Sequence, residues 1–232
     1  MSTVQVSALP GDAEGDARGV RDGDERGVIV LLSGGLDSTC LLHKAVGECG
    51  RVFAVGVDYG QRHNRELWSA ERIADHYGVP FLVLRLPTLT GSALTGDGII
   101  PVGLHYADPG QSATVVPGRN LLLLGLAIAE AVRRGCGEVW YGAHAGDAAV
   151  YADCRPEFVR AASDASEVGY GVAVFTPFLW KNKSDIVAYA VGHGVPVGMT
   201  WSCYTGGDEP CGRCGACVER VEAFAGVPHG SS

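Results

Sequence analysis

Positive charge is scarce in this chain of 232 residues: it holds three lysines, Lys44, Lys181 and Lys183, and its formal net charge is −8. A protein built mainly to coat nucleic acid needs the opposite balance. Long apolar runs are missing too. The longest, residues 121–129, is about half of what a membrane-spanning helix requires. Residues 1–27 contain no apolar stretch of the kind a secretory signal carries. Neither Gly-Lys-Ser/Thr nor Gly-x-Gly-x-x-Gly occurs, so two common phosphate-binding signatures are excluded. These absences leave a cytoplasmic chain with no membrane and no nucleic-acid partner as the expectation.

Hydrophobic residues make up 47% of the chain, enough for a sizeable core. Residues 1–27 stand apart, with Gly recurring at 11, 15, 19, 23 and 27 among Asp, Glu and Arg. No apolar stripe can form there, and the spacing predicts a disordered acidic tail. From residue 28 onward short apolar runs alternate with amphipathic stretches. The pattern predicts strands over 28–32, 52–57, 81–86, 138–143 and 172–176. Helices are expected over 38–49, 65–77, from about 120, over 157–167 and over 184–192, with a long loop over 87–118. Continuous apolar strands alternating with helices imply an α/β fold with a doubly wound parallel sheet. Its ligand site belongs beyond the carboxyl ends of the strands. Residues 28–200 form the expected catalytic domain and 201–232 a small C-terminal metal-binding segment. Few residues follow Cys217, so any further helix there is short.

Residues 32–39, at the end of the first strand, read Leu32-Ser33-Gly34-Gly35-Leu36-Asp37-Ser38-Thr39. Two glycines permit a tight turn and close approach to a ligand. Hydroxyls and the free N–H groups of the following helix make an anion site. A carboxylate at Asp37 would repel phosphate unless a cation intervened, so Mg²⁺ bound together with a polyphosphate is the economical reading.

Eight cysteines divide into four scattered ones and a cluster, Cys203, Cys211, Cys214 and Cys217, spaced C-x7-C-x2-C-x2-C. Reduced thiols of a cytoplasmic chain stay free or bind metal. Four convergent thiolates suit a closed, structural zinc site, worth on the order of 10 kcal/mol in small zinc peptides. An iron–sulfur cluster and free core thiols are the alternatives. Of the scattered four, Cys40, Cys49 and Cys136 fall in or beside predicted helices and read as small core residues. Cys154, between Asp153 and Arg155, is either a core thiol or a nucleophile.

The loop from Leu32 through Thr39 to Cys40, Leu41 and Leu42 resembles that of the pyrophosphatase-loop ATPases, which cleave ATP between the α and β phosphates. Three further motifs narrow the likeness: Asp58-Tyr59-Gly60-Gln61-Arg62-His63, Val116-Pro117-Gly118-Arg119-Asn120, and Tyr151-Ala152-Asp153-Cys154-Arg155-Pro156-Glu157-Phe158. With the loop and the four cysteines, in this order, they resemble the 7-cyano-7-deazaguanine synthase family. That resemblance implies an adenine-nucleotide alpha-hydrolase-like fold and a homodimer. It also implies ATP-dependent conversion of 7-carboxy-7-deazaguanine and ammonia to the nitrile, through an adenylate and an amide. Carried over residue by residue, residues 32–42 bind ATP, Asp37, Arg119 and Lys183 are catalytic, and the four clustered cysteines hold zinc. Asp147, Asp153, Arg155, Gln61 and His63 are the substrate candidates, with loop salt bridges and a structural histidine as their plainer readings. A tRNA-thiolating relative, a relative acting on another base or a protein, and a nucleotide-sensing module remain the alternatives.

Overall fold

The computed structural model describes residues 27–96, 98–106 and 108–226, so the expected acidic tail lies outside the described residues except for Gly27. Five strands are described: β1 (Gly27–Leu31), β2 (Val52–Asp58), β3 (Phe81–Arg85), β4 (Cys136–Trp140) and β5 (Ala173–Phe175). They form one parallel sheet in the order β3-β2-β1-β4-β5. The chain runs outward from β1 to β3, then returns to the other side of β1 for β4 and β5. The direction therefore reverses between β1 and β4, and at such a switch point the strand ends leave a crevice for ligands.

Every residue of β1 is buried, because helices cover both faces of the sheet. Val28, Val30 and Leu32 face a core built with α1 (Leu36–Glu48), α2 (Arg65–His76) and α5 (Lys183–Gly192). Ile29 and Leu31 face the opposite core, made with α3 (Arg119–Arg134) and α4 (Pro156–Tyr170). Strict alternation of contacts along one strand is what a parallel strand buried on both sides demands. No helix among the described residues is long and apolar enough to cross a membrane.

Two expectations shift. The strand foreseen over 138–143 is Cys136–Trp140, so it starts and ends earlier. Its neighbour β5 pairs only with Glu138, Val139 and Trp140, and Tyr141, Gly142 and Ala143 leave the sheet to line the cleft. The long loop over 87–118 is also more ordered than its composition implied. It carries a 3₁₀ turn, Pro109–Thr114, capped by Asp108 Oδ1 accepting from the Gly110 N–H at 2.7 Å. Ala93, Leu94, Ile100 and Val116 of this loop pack with Tyr59 and three of the clustered cysteines in a third apolar cluster. The Val102–Cys214 bridge and the Gly103 N–H donating to Arg213 O at 2.9 Å sew loop and cysteine segment together. The short C-terminal helix is α6 (Gly215–Ala225), which begins inside the cysteine cluster and packs against α5.

Gly34 sets the path of the first loop. Its φ is +87°, and a Cβ there would lie 2.1 Å from the Glu66 carbonyl oxygen and 2.7 Å from the Ala70 nitrogen, both backbone atoms of α2. Gly35 has φ −76° and only ordinary contacts around its missing Cβ. Gly34→Ala is therefore expected to cost about 3 kcal/mol, from left-handed strain plus overpacking. Gly35→Ala should cost less than about 1 kcal/mol. Paired urea denaturation curves check the contrast; equal losses would show that the turn at Gly34 does not constrain the fold.

Candidate active site

The loop between β1 and α1 is self-braced. Ser33 and Ser38 hydroxyls lie 3.0 Å apart, the Ser33 N–H donates to Ser38 Oγ at 3.2 Å, and the Gly35 N–H donates to Ser33 Oγ at 3.3 Å. Ser38 and Thr39 hydroxyls donate back to the Gly35 carbonyl at 3.1 and 2.7 Å. No side chain caps the start of α1. Its first N–H groups thus face the crevice with the positive end of the helix dipole behind them, a site fitted for an anion.

The crevice is a cleft of about 260 Å³. Of the expected ATP-binding stretch, Leu32, Ser33, Gly35, Leu36, Asp37 and Ser38 line it. Cys40, Leu41 and Leu42 are fully buried core residues of α1, and Thr39 is buried beneath the loop. These four, with Gly34, support the cleft without forming its wall.

Asp37 is the electrostatic centre. Lys183 Nζ donates to Asp37 Oδ2 at 2.7 Å and also lies 3.3 Å from Glu219 Oε2. Lys183 opens α5, whose start is fixed by the Asn182–Asp185 capping box. Burial works to raise the Asp37 pKa, but the Lys183 ammonium, with the His144 ring beside it, outweighs that and holds the carboxyl below its ordinary range. Burial likewise works to lower Lys183, and Asp37 and Glu219 outweigh it, keeping the ammonium protonated. Asp37 Oδ1 is buried with no hydrogen-bond partner. A buried carboxylate oxygen without a partner is costly, and it fits a cation ligand.

His144 and Asp147 complete this wall. His144 is 1% exposed, and its Nδ1 accepts from the Gly146 N–H at 3.1 Å. The proton of the neutral ring therefore sits on Nε2, 3.4 Å from Asp147 Oδ2 and 3.8 Å from Asp37 Oδ2. Asp147 lies deep in the protein yet keeps 29% of its side-chain exposure because it faces the cleft. Burial, with the Asp37 and Glu219 charges adding, pushes it up to about 6 against the pull of His144.

On the opposite wall, Arg119 opens α3 after Gly118, whose φ is +70°. Its guanidinium lies over the Tyr59 ring at 5.9 Å from the centroid. Glu66 of α2 faces the same space, and burial pushes its carboxyl up to about 7 despite Arg119. Gln61 also lines the cleft, its Oε1 accepting from the Tyr59 N–H at 2.9 Å and its amide nitrogen donating to Val57 O at 3.4 Å.

Three expected substrate residues are not brought to the cleft wall. Asp153 Oδ2 accepts from the Asn120 N–H at 3.4 Å, satisfying a free donor at the start of α3. Arg155 turns away and donates from Nε to Ala148 O at 3.1 Å. His63 Nε2 lies 3.2 Å from Tyr204 O, bracing the cysteine segment. Cys154 does line the cleft, with Tyr141 Oη 3.3 Å from its sulfur. Burial, with the Asp147 charge adding, pushes its thiol up to about 12, which is unsuited to a nucleophile.

The sequence reading missed Glu66, His144, Glu219 and Arg220, all of which lie in or directly behind the cleft wall. Glu219 and Arg220 follow Cys217 so closely that the cysteine motif itself was the signal. His144 stands three residues before Asp147, a spacing that brings two side chains together on one turn.

Away from the wall, the Sγ atoms of Cys203, Cys211, Cys214 and Cys217 all lie within 4.8 Å of one another. The Cys211 N–H donates to Cys203 Sγ at 3.3 Å, and the Arg213 and Cys214 N–H groups donate to Cys211 Sγ at 3.4 and 3.3 Å. Burial works to raise Cys211, and those backbone donors bring it down to about 6, favouring the thiolate. Four converging thiols with backbone donors aimed at sulfur could hold a metal ion. The segment also touches the loop: the Trp201 N–H donates to the Gly34 carbonyl at 2.9 Å.

The chain is similar to known proteins. The 7-cyano-7-deazaguanine synthase of Marinobacter nauticus is 46% identical over 204 residues, covering 85% of this chain and 92% of that protein. The enzyme of the same name from Alteromonas mediterranea is 44% identical over 203 residues, covering 85% and 93%. Among solved structures, the NMN synthetase of Francisella tularensis is similar in fold, with a TM-score of 0.51 at 17% identity over 81% of this chain and 71% of that one. Residues 27–227 match the family model described as queuosine biosynthesis protein QueC, a span that takes in the loop, both cleft walls and all four clustered cysteines. The chain is an enzyme, and it belongs to the queuosine biosynthesis protein QueC family.

Proposed function

We propose that this enzyme converts 7-carboxy-7-deazaguanine and ammonia to 7-cyano-7-deazaguanine at the expense of ATP. One observation carries the reading: Asp37, with a buried unpartnered oxygen, stands at the uncapped start of α1 and is gripped by Lys183. That is a site for a polyphosphate together with a cation. Asp37 would hold Mg²⁺, which would neutralise phosphate charge.

The chemistry then proceeds in two activations. A substrate carboxylate oxygen attacks the α phosphorus of ATP, the bond to the β phosphate breaks, and pyrophosphate leaves. Ammonia attacks the acyl carbon of the adenylate, the carbon–oxygen bond to AMP breaks, and an amide results. The amide oxygen attacks a second ATP in the same way. Loss of the two amide protons and AMP leaves the nitrile. The α1 N–H groups and the Ser33 and Ser38 hydroxyls hold phosphate oxygens in this scheme, and Arg119 and Lys183 offset the charge that develops as pyrophosphate departs. Asp147 and Gln61 offer acceptors and donors to the deazaguanine. Asp153, Arg155 and His63 act indirectly, by fixing the start of α3, the 147–154 turns and the cysteine segment. The four cysteines would hold zinc, which supplies no chemistry there and orders the segment that meets the loop at Gly34. The resemblance to the family also implies a homodimer, which sedimentation equilibrium would detect.

The reading is tested by incubating the protein with ATP, Mg²⁺, ammonium and 7-carboxy-7-deazaguanine and following products by mass spectrometry. Nitrile, AMP and pyrophosphate are expected; folded, metal-loaded protein that makes none of them overturns it. Asp37→Ala should lower AMP formation at least about 100-fold with metal content unchanged. Joint loss of AMP formation and metal would instead make Asp37 structural. For the metal, Cys214→Ala is expected to yield metal-poor protein melting roughly 10 °C lower, as several kcal/mol of metal-linked folding energy are lost. A normal melting temperature with full zinc would reject a structural site.

A further inference from the structure

Behind the cleft lies a second, much smaller chamber of about 30 Å³. It shares Asp147, Tyr204, Ala216 and Glu219 with the cleft wall, so the two spaces meet across these side chains. Its size excludes a nucleotide or a purine and suits one or two molecules no larger than water. Charge is sorted between the two spaces. Arg119, Lys183 and Arg220 line the cleft, whereas among the described residues no Lys, Arg or His lines the chamber, whose only charged liners are Asp147 and Glu219, shared with the cleft. The rest of its wall includes three tyrosines, Tyr106, Tyr151 and Tyr204, and Gln111, which is 3% exposed. Tyr151 Oη is anchored 2.9 Å from Thr114 Oγ1, which fixes that part of the wall.

Two carboxylate and three tyrosine side chains around a space of this volume suit a small cation with several N–H donors. We propose that the chamber is the ammonium-binding site of the enzyme, from which nitrogen enters the cleft between Asp147 and Glu219. This rests on the ligase reading above and assigns the place where its smallest substrate is held. On leaving, the ammonium gives one proton to the Asp147 carboxylate and enters as neutral ammonia with its lone pair free. Asp147 lines both spaces, and burial with the neighbouring Asp37 and Glu219 charges raises its affinity for a proton. Lys183, 3.3 Å from Glu219 on the cleft side, leaves that carboxylate poised between the two spaces.

The test uses the full chain in steady-state assays, with ammonium chloride varied at saturating ATP, Mg²⁺ and 7-carboxy-7-deazaguanine. Val150 lines the chamber and not the cleft, so Val150→Phe fills it without replacing an ionisable group. Its KM for ammonium should rise by roughly tenfold or more, while its KM for ATP stays within about twofold. Glu219→Gln should raise the ammonium KM by a similar factor. An ammonium KM within about twofold of the parent in both variants overturns the chamber. Should Val150→Phe melt well below the parent, Val150→Met, a milder filler, takes its place under the same criteria. Parent protein that forms no ammonium-dependent product at all sinks the ligase reading instead. An active parent with an unmoved ammonium KM in the variants sinks only the chamber.

Discussion

The contact between Lys183 and Asp37 organises everything else around the cleft. It joins the first turn of α1 to the first residue of α5, elements separated by most of the chain. An aspartate in the opening turn of a helix is favoured by the dipole, but one facing a phosphate site needs positive charge close by. Lys183 supplies it, and Glu219 and Asp147 crowd the same lysine from two further elements. Three carboxylates around one ammonium leave the wall short of positive charge when no ligand is bound. Arg220, also on the cleft, adds a second positive charge that the Asp37 carboxylate feels.

That sorting of charge divides the site into regions with separate tasks. The loop and α1 present N–H groups and hydroxyls, Arg119 stands over Tyr59 on the far wall, and the acids gather where α6 meets the turns after β4. Glu66 and Asp147 both have raised pKa values through burial, and they stand on different walls.

The sequence revealed most of this through local pattern. The alternation of apolar runs and amphipathic stretches located all five strands and five of the helices, because strands buried on both faces leave little ambiguity. The loop from Ser33 to Ser38 and the cysteine spacing were readable for the same reason, since each is one short segment with one geometry. Where Asp153, Arg155 and His63 turn was not legible, because adjacency to a motif says nothing about the direction of a side chain. Asp153 meets the start of α3 and His63 meets the carbonyl of Tyr204, both long-range contacts. Glu66, His144, Glu219 and Arg220 come together only through tertiary packing, and no single window of sequence contains them. The two adjacent glycines of the loop differ in kind: at Gly34 the backbone of α2 forbids a side chain, whereas Gly35 next to it has room.

The hydrogen bond from the Trp201 N–H to the Gly34 carbonyl gives the cysteine segment a second standing. A knot at the end of the chain and a turn near its beginning share one strut, and Trp201 also holds the Cys203 carbonyl at 2.9 Å through its indole N–H. Through that strut the position of the turn depends on the position of the segment, so a cysteine cluster far away in sequence bears on the mouth of the crevice.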